Sequence, residues 1–457
     1  MSRPGGVIAG RPALRFGGAL ATGCLLVLAF PPADLGWLAW IALVPLLLSL
    51  HDATPGQAFR LGAAAGAVGY GGLMVWLRVF GAPTWACVSL GMAAFLGAFA
   101  ALAASLARHY RRPGGGAWVW IVPVCWVSVE VVRSVGPLGF PWGLLGLTQY
   151  RAPVVLPLAS VGGVFGVGAV VALVNTSVAA VIVSRRLTRA AAAGAVLALG
   201  LVALSAAMPR SPAGASRIVA AVQPNIAPVQ KGDPSTATAL LDGLLRQTMQ
   251  ARAAGAQVIV YPETAVPLEV STLPAARSSI ARTAGGATVV AGAFLPGPHN
   301  GVVVIGASGE TLGRYAKRRL VPFGEAGVRP GADPAAVRTP AGVIGLAICY
   351  ESAFTDLLRS LAASGADLLA VLTNDGWFGA SAGPAQHAAH AVLRAVETGR
   401  SVVRAANTGT SMLIRPDGTV VAAQPIGSAG VLVASLPVGG PLTPYVRWGW
   451  VVAPLAL

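Results

Sequence analysis

The chain has 457 residues, of which 55% are hydrophobic and 11% charged, and its formal net charge is +16. So much apolar surface excludes a disordered chain, and so few charges exclude an ordinary soluble globule, where about a quarter of residues are charged. Four cysteines are too few for a disulfide scaffold, and the basic excess does not mark a nucleic-acid binder, because it is spread along the chain rather than gathered into a patch.

The charge divides the chain. Residues 1–208 hold 13 arginines and three acids, Asp34, Asp52 and Glu130. The remaining basic and acidic residues lie beyond 208. The first part reads as a membrane domain and residues 209–440 as an extracytoplasmic soluble domain. Apolar runs at 13–31, 35–50, 58–80, 85–107, 117–135, 154–183 and 189–208 approach the roughly 20 residues needed to cross a bilayer, which predicts about seven spans. Breakers separate them, among them Pro31-Pro32, Gly81-Ala82-Pro83 and Arg111-Arg112-Pro113. The first run reads as an anchor rather than a cleaved leader, since no small-residue cleavage pattern follows it. Arginines concentrate before the first run and in alternate loops (Arg60, Arg108, Arg111, Arg112, Arg185, Arg186, Arg189). That alternation puts the N-terminus in the cytoplasm and residue 209 on the opposite side.

Glu130 and Arg133 end the fifth run three residues apart, on one helix face. Such a pair in a membrane segment is either a functional site or an ion pair holding the loop that follows, Gly136 to Gly143. Residues 441–457 read as a segment docking at the membrane, or part of an eighth span.

Beyond 209, strand patterns fall at 218–222, 258–261, 288–293, 343–348, 368–372 and 402–405. Helical patterns fall at 236–254, 275–284, 354–363 and 384–397. The alternation predicts an α/β layered domain. Polar residues sit just after strand patterns, where α/β folds place chemistry: Glu263, Cys349, and Asn374 with Asp375. Lys317 is one of only two lysines in a chain of arginines, the other being Lys231. A lone cysteine after a strand is commonly a small buried hydrophobe. Cys349 differs in having Glu351 close by and a Glu and a Lys ending other segments. A carboxylate can take the thiol proton, and an ammonium can stabilise thiolate and oxyanion.

These strings resemble a known family. Tyr261-Pro262-Glu263, Lys317 with Leu320-Val321-Pro322-Phe323-Gly324-Glu325, and Ile348-Cys349-Tyr350-Glu351 look like the Glu-Lys-Cys signature of the nitrilase superfamily. Gln223-Pro224-Asn225-Ile226, Asn374-Asp375-Gly376-Trp377-Phe378-Gly379, Gly383-Pro384-Ala385-Gln386-His387, Arg404-Ala405-Ala406-Asn407-Thr408-Gly409, Thr443-Pro444-Tyr445 and Gly139-Phe140-Pro141-Trp142 are similar to the apolipoprotein N-acyltransferase family. The resemblance implies a multi-span α-helical membrane domain joined to an α/β nitrilase-like αββα sandwich in a bacterial inner membrane, the catalytic domain on the periplasmic side. It implies Cys349 as nucleophile, Glu263 as general base and Lys317 as oxyanion stabiliser. Glu325 would support the site, and Tyr350 and Glu351 would match positions near the substrate entrance. Asn225, Trp377 and Trp142 would shape the substrate pocket. The implied partners are a phospholipid acyl donor, phosphatidylethanolamine, and a diacylglyceryl-modified apolipoprotein acceptor, both held in the bilayer, with no cofactor. Gly232 stands where relatives carry a bulky aromatic, and Ala326-Gly327 follow Glu325 where an aromatic is usual.

Two rival readings are a membrane-anchored nitrilase-type amidase and a non-enzymatic transporter or sorting scaffold. Gly379-Ala380-Ser381-Ala382-Gly383 fits a nucleophile elbow by spacing but lacks the preceding strand. His387 and His390 read as exposed or packing histidines of a surface helix, since no third ligand at zinc spacing accompanies them, and no metal site is expected. Asp417-Gly418 reads as a hairpin turn.

Overall fold

Helices in the N-terminal part start and stop where the sequence places breakers. The computed structural model describes residues 12–109, 116–208, 214–231, 234–266, 270–322, 324–333 and 335–449. Arg3, Arg11, Arg111, Arg112, Gly232 and residues 450–457 lie outside the described residues. The chain divides into two compact units, one built on Met1–Met208 and one on Pro209–Trp448.

The first unit contains α1 (Pro12–Ala29), α2 (Pro55–Leu73), α3 (Ala82–His109), α4 (Trp118–Val132), α5 (Ala159–Ser184) and α6 (Arg189–Ala207). Among the described residues, four helices are long and apolar enough to cross a membrane: α1, α3, α5 with the turn before it, and α6. The run at 35–50 is instead broken into Gly36–Leu38, Ala39–Ala42 and Val44–Ser49. Pro45, in the first turn of the last piece, has no N–H to continue the preceding helix. Backbone groups at the break find a partner on α5. Asn175 Oδ1 accepts from the Leu43 N–H (2.8 Å), and its Nδ2 donates to the carbonyls of Ala39 (2.9 Å) and Val171 (2.8 Å). Interrupted backbone at membrane depth requires such internal partners. α2 begins with a capping box, the Thr54 side chain accepting from the Gln57 N–H and Gln57 Oε1 accepting from the Thr54 N–H.

The geometry around Glu130 and Arg133 favours the structural of their two readings. Arg133 Nη1 donates to the carbonyls of Phe140 (3.2 Å) and Trp142 (2.7 Å), and Nη2 to that of Gly143 (3.0 Å) and to Glu130 Oε1 (3.4 Å). Glu130 Oε1 accepts from the Leu145 N–H (2.7 Å). The pair thus satisfies the backbone of the irregular loop that follows α4. Arg133→Leu would leave those carbonyls and a buried carboxylate unpaired. The expected cost is about 3–5 kcal/mol, read as a lower unfolding temperature of the detergent-solubilised protein. Wild-type stability in that variant would contradict the clamp.

The second unit contains two six-stranded sheets. The first has the order β12-β1-β2-β3-β4-β5, from β1 (Ala215–Gln223), β2 (Val258–Val260), β3 (Thr288–Leu295), β4 (His299–Ile305), β5 (Thr311–Ala316) and β12 (Gly430–Val438). The second has the order β11-β10-β9-β8-β7-β6, from β6 (Ala336–Thr339), β7 (Gly342–Ile348), β8 (Leu368–Thr373), β9 (Ser401–Ala406), β10 (Ser411–Ile414) and β11 (Val420–Gln424). In each sheet three central strands run parallel, β1-β2-β3 and β7-β8-β9, and the outer pairings are antiparallel.

Side chains alternate along each strand. Val219 and Ala221 face inward with Val258, Val260, Ile344, Leu346, Ile348, Leu372 and Val403, in one core between the sheets. Ala220, Val222, Ile259 and Val289 face outward and pack on α7 (Ala237–Ala253) and α8 (Pro274–Ala284). α9 (Thr355–Ala363) and α10 (Gly383–Thr398) cover the second sheet, which completes an αββα sandwich. Pro384 in the first turn of α10 and Gly399 in left-handed conformation after its end delimit that helix. The turn at Asp417-Gly418 joins antiparallel β10 and β11, as the sequence predicts.

Candidate active site

Three parallel-strand ends and one antiparallel one deliver the site. Glu263 follows β2, Lys317 follows β5, Cys349 follows β7, and Asn374 and Asp375 follow β8. The turn bearing Glu263 passes close over β3. A Cβ at Gly292 would lie 2.1 Å from the Pro262 carbonyl oxygen, so only glycine allows that approach.

Lys317 is buried between two carboxylates. Its Nζ lies 3.1 Å from Glu263 Oε1 and 2.9 Å from Glu325 Oε1. Asn300 Nδ2 donates to both of the same oxygens, at 2.7 and 3.0 Å. Glu325 Oε2 accepts from the Val321 N–H, which closes the loop after β5 onto its own lysine. Glu263 Oε2 is buried without a hydrogen-bond partner. An unpartnered carboxylate oxygen in a closed site is costly, and it is the atom free to take a proton. Burial by itself would lower the Lys317 ammonium, but Glu263, Cys349 and Glu325 outweigh it and hold the group above its usual range.

Cys349 is buried and opens a tight turn, Cys349–Ala353, with φ of 52°. Left-handed backbone costs a non-glycine residue about 1–2 kcal/mol, and such strain gathers at functional positions. Burial and then the Glu263 carboxylate push the thiol up to about 12, against the pull of Lys317. At rest Cys349 is therefore a thiol beside a carboxylate and an ammonium. The arrangement can remove a proton from sulfur and stabilise an oxyanion, which is acyl-transfer chemistry.

Glu351 is fully buried. Its Oε1 accepts from Tyr315 Oη (2.7 Å) and from the N–H groups of Arg318 (2.7 Å) and Arg319 (3.1 Å), and Oε2 from the Ile348 N–H (2.7 Å). It ties the lysine loop to the cysteine turn. Burial raises its carboxyl even though these donors favour the anion. Tyr350 is likewise buried, edge-on to Phe354 with ring centroids 4.9 Å apart. Trp142 is buried too, its ring centroid 5.0 Å from that of Trp76 and 5.9 Å from that of Phe140. Trp377 is 56% exposed beside the β8 strand end. Asn225, with φ of 56°, donates from Nδ2 to the Gly427 carbonyl and from its backbone N–H to the Asn407 carbonyl, joining two loops at the strand ends.

Sequence reasoning passes over Asn300, which stands between His299 and Gly301 at the start of β4, where nothing local marks it. It reads His387 and His390 as exposed or packing histidines of a surface helix, and both are packed inside, 1% exposed. Polar residues on α10 find partners inside the protein, so their polarity does not imply exposure. Ser381 lies just before α10, its Oγ accepting from the Gly383 N–H, and follows no strand.

Two family models match the chain: the apolipoprotein N-acyltransferase N-terminal domain over residues 22–177 and carbon-nitrogen hydrolase over residues 218–440. An apolipoprotein N-acyltransferase from Geobacter metallireducens is 33% identical, the match covering 95% of this chain and 92% of the relative. One from Azotobacter vinelandii is 34% identical over 96% and 92%. Among solved structures, an amidase of the nitrilase superfamily from Nesterenkonia is 25% identical, with TM-score 0.40, covering 50% of this chain and 93% of its own.

Proposed function

The chain belongs to the apolipoprotein N-acyltransferase family, and we propose that Cys349 carries the acyl chain between the two substrates. Cys349 Sγ attacks the ester carbonyl of a phospholipid, phosphatidylethanolamine, as Glu263 takes the thiol proton. Lys317 stabilises the tetrahedral oxyanion. The C–O bond breaks, the proton passes to the leaving oxygen, and lysophospholipid departs from a Cys349 thioester. The α-amine of a diacylglyceryl-modified N-terminal cysteine then attacks that thioester. Glu263 takes the amine proton and returns it to sulfur, leaving an amide on the lipoprotein and a free thiol. A thioester is reactive enough to form the amide without ATP, so no cofactor enters.

The observation that carries this reading is the partnerless Glu263 Oε2 beside the buried Lys317 and the strained Cys349. Glu325 and Asn300 hold Lys317, Glu351 and Tyr350 support the nucleophile's turn, and Asn225 and Trp377 belong to loops around the site. The apolar helices of residues 1–208 anchor the chain in the inner membrane, with the catalytic domain of residues 209–440 on its periplasmic side. Both substrates are anchored there, and extracting an acyl chain into water costs about 0.8 kcal/mol per CH₂. A membrane-tethered enzyme avoids that cost.

Incubation of the purified protein with phosphatidylethanolamine should add one acyl mass, measured on the intact protein. The adduct should be absent in Cys349→Ser, and it should transfer to a diacylglyceryl peptide. No adduct, with hydrolysis of small amides instead, would favour a membrane-anchored amidase.

A further inference from the structure

At the carbonyl of Cys349 lies a second buried polar cluster to which the reaction above gives no part. His387 Nδ1 lies 2.8 Å from Asp375 Oδ1, and His387 Nε2 lies 3.0 Å from the Cys349 carbonyl oxygen. Arg404 Nη2 donates to Asp375 Oδ2 at 2.9 Å. Ser352 Oγ donates to the same Cys349 carbonyl at 2.9 Å and lies 3.0 Å from His387 Nε2. Asp375, His387, Arg404 and Ser352 are all buried. A Cβ at Gly409 would fall 2.1 Å from Asp375 Oδ2, so the chain leaves room for this carboxylate.

We propose that His387 is a positioning residue for Cys349: anchored by Asp375 and Arg404, it holds the carbonyl of the nucleophile's own residue and so keeps the left-handed turn that aims the sulfur. The proposal rests on the reading of Cys349 as nucleophile. The chemistry of the contacts supports it. A carbonyl oxygen accepts only, so the contact at Cys349 uses the ring's Nε2–H, while Nδ1 lies between Asp375 Oδ1 at 2.8 Å and Arg404 Nη2 at 3.1 Å. Asp375 supplies the counter-charge to Arg404. Burial would raise the Asp375 carboxyl, but Arg404 and His387 hold it well below the usual carboxylate range, and it remains an anion. The Cys349 backbone at φ 52° is strained, and a strained turn persists only where its surroundings over-determine it. Two donors on its carbonyl, one of them fixed by an ion pair, are such surroundings.

The test compares wild type, His387→Ala, His387→Gln and Ser352→Ala as full chains in detergent micelles. The rate of acyl-adduct formation is followed by intact mass against phosphatidylethanolamine concentration. His387→Ala is expected to lower the maximal rate at least about 100-fold, with the half-saturating lipid concentration unchanged. His387→Gln, whose amide N–H can reach the same carbonyl, is expected to recover at least about tenfold of that loss. Ser352→Ala should lose less than His387→Ala. Thermal unfolding of each variant separates folded from misfolded material. A His387→Ala protein that acylates at the wild-type rate, or that loses rate only in proportion to its folded fraction, overturns the proposal. So does a folded His387→Gln with no recovery. A second readout, the rate of Cys349 alkylation by iodoacetamide at fixed pH, does not need lipid. If wild type forms no adduct, the functional reading fails by itself, and alkylation decides the positioning role. A roughly tenfold slower reaction in His387→Ala, restored in His387→Gln, upholds the role, and equal rates sink it.

Discussion

Glu263→Gln is expected to move two reactions of the same sulfur in opposite directions. Acyl-adduct formation should fall by about 10³, within the range a positioned general base contributes, because the amide cannot accept the thiol proton. Alkylation of Cys349 by iodoacetamide near pH 8 should become faster. The sign follows from the causes acting on the thiol. Burial and then the Glu263 carboxylate push it up to about 12, so in wild type the thiolate is a minor form throughout the neutral range. The alkylation rate should climb about tenfold per pH unit from 7 to 10 without levelling, as expected for a thiolate nucleophile. Removing the Glu263 charge removes one upward cause and leaves the Lys317 ammonium, which pulls the thiol down. The variant's profile should therefore level at lower pH. A wild-type profile already flat below pH 9 would mean a preformed thiolate, and Glu263 would then have no proton to remove in the first step.

Lys317→Met is expected to cost both activity and stability. Its ammonium is the cation between Glu263 and Glu325, within 3.1 and 2.9 Å of them, and Asn300 alone would remain between two carboxylates. Breaking a buried ion pair by removing one partner costs about 3–5 kcal/mol, so the unfolding temperature should fall clearly. Acyl-adduct formation should fall by about 10² or more, the scale of losing one oxyanion-stabilising donor. Adding Glu325→Gln should restore part of the stability, because one orphaned charge is removed, and none of the acylation. Lys317→Arg should not rescue, since a planar guanidinium does not fit a site shaped around a compact ammonium. Recovery of acylation in the double variant would show that Lys317 acts only as a structural counter-ion.

Much of the soluble unit is legible along the chain, for a physical reason. The parallel strands β2, β3, β7, β8 and β9 are largely buried on both faces, so they read as continuous apolar runs, and β2, β7 and β8 end just before Glu263, Cys349 and Asn374. The antiparallel strands are harder to read. β5 (Thr311–Ala316) and β11 (Val420–Gln424) lie at sheet edges, are partly exposed, and mix polar with apolar residues. In the first unit the run at 35–50 looks like one span by hydropathy, but a single proline at 45 breaks it, and the compensating partner, Asn175, lies 132 residues from Leu43.

The sequence by itself determined the division into an apolar and a mixed half, the α/β order of the second, and Glu263, Lys317 and Cys349 as candidates, because hydropathy, periodicity and the position of a polar residue after a strand are local properties. Only the tertiary structure decided what each polar side chain meets. Glu351 reads as an acid beside the nucleophile and proves to be a tie to the lysine loop, 32 and 33 residues away. His387 reads as an exposed or packing histidine of a surface helix and lies against the Cys349 carbonyl, 38 residues earlier. Asn300, between His299 and Gly301, carries no local signal, and in the fold it bridges Glu263 and Glu325. Burial makes an unpaired polar group costly, so each of these finds a partner, but the partner is chosen by how two sheets stack, and no window of sequence contains that choice.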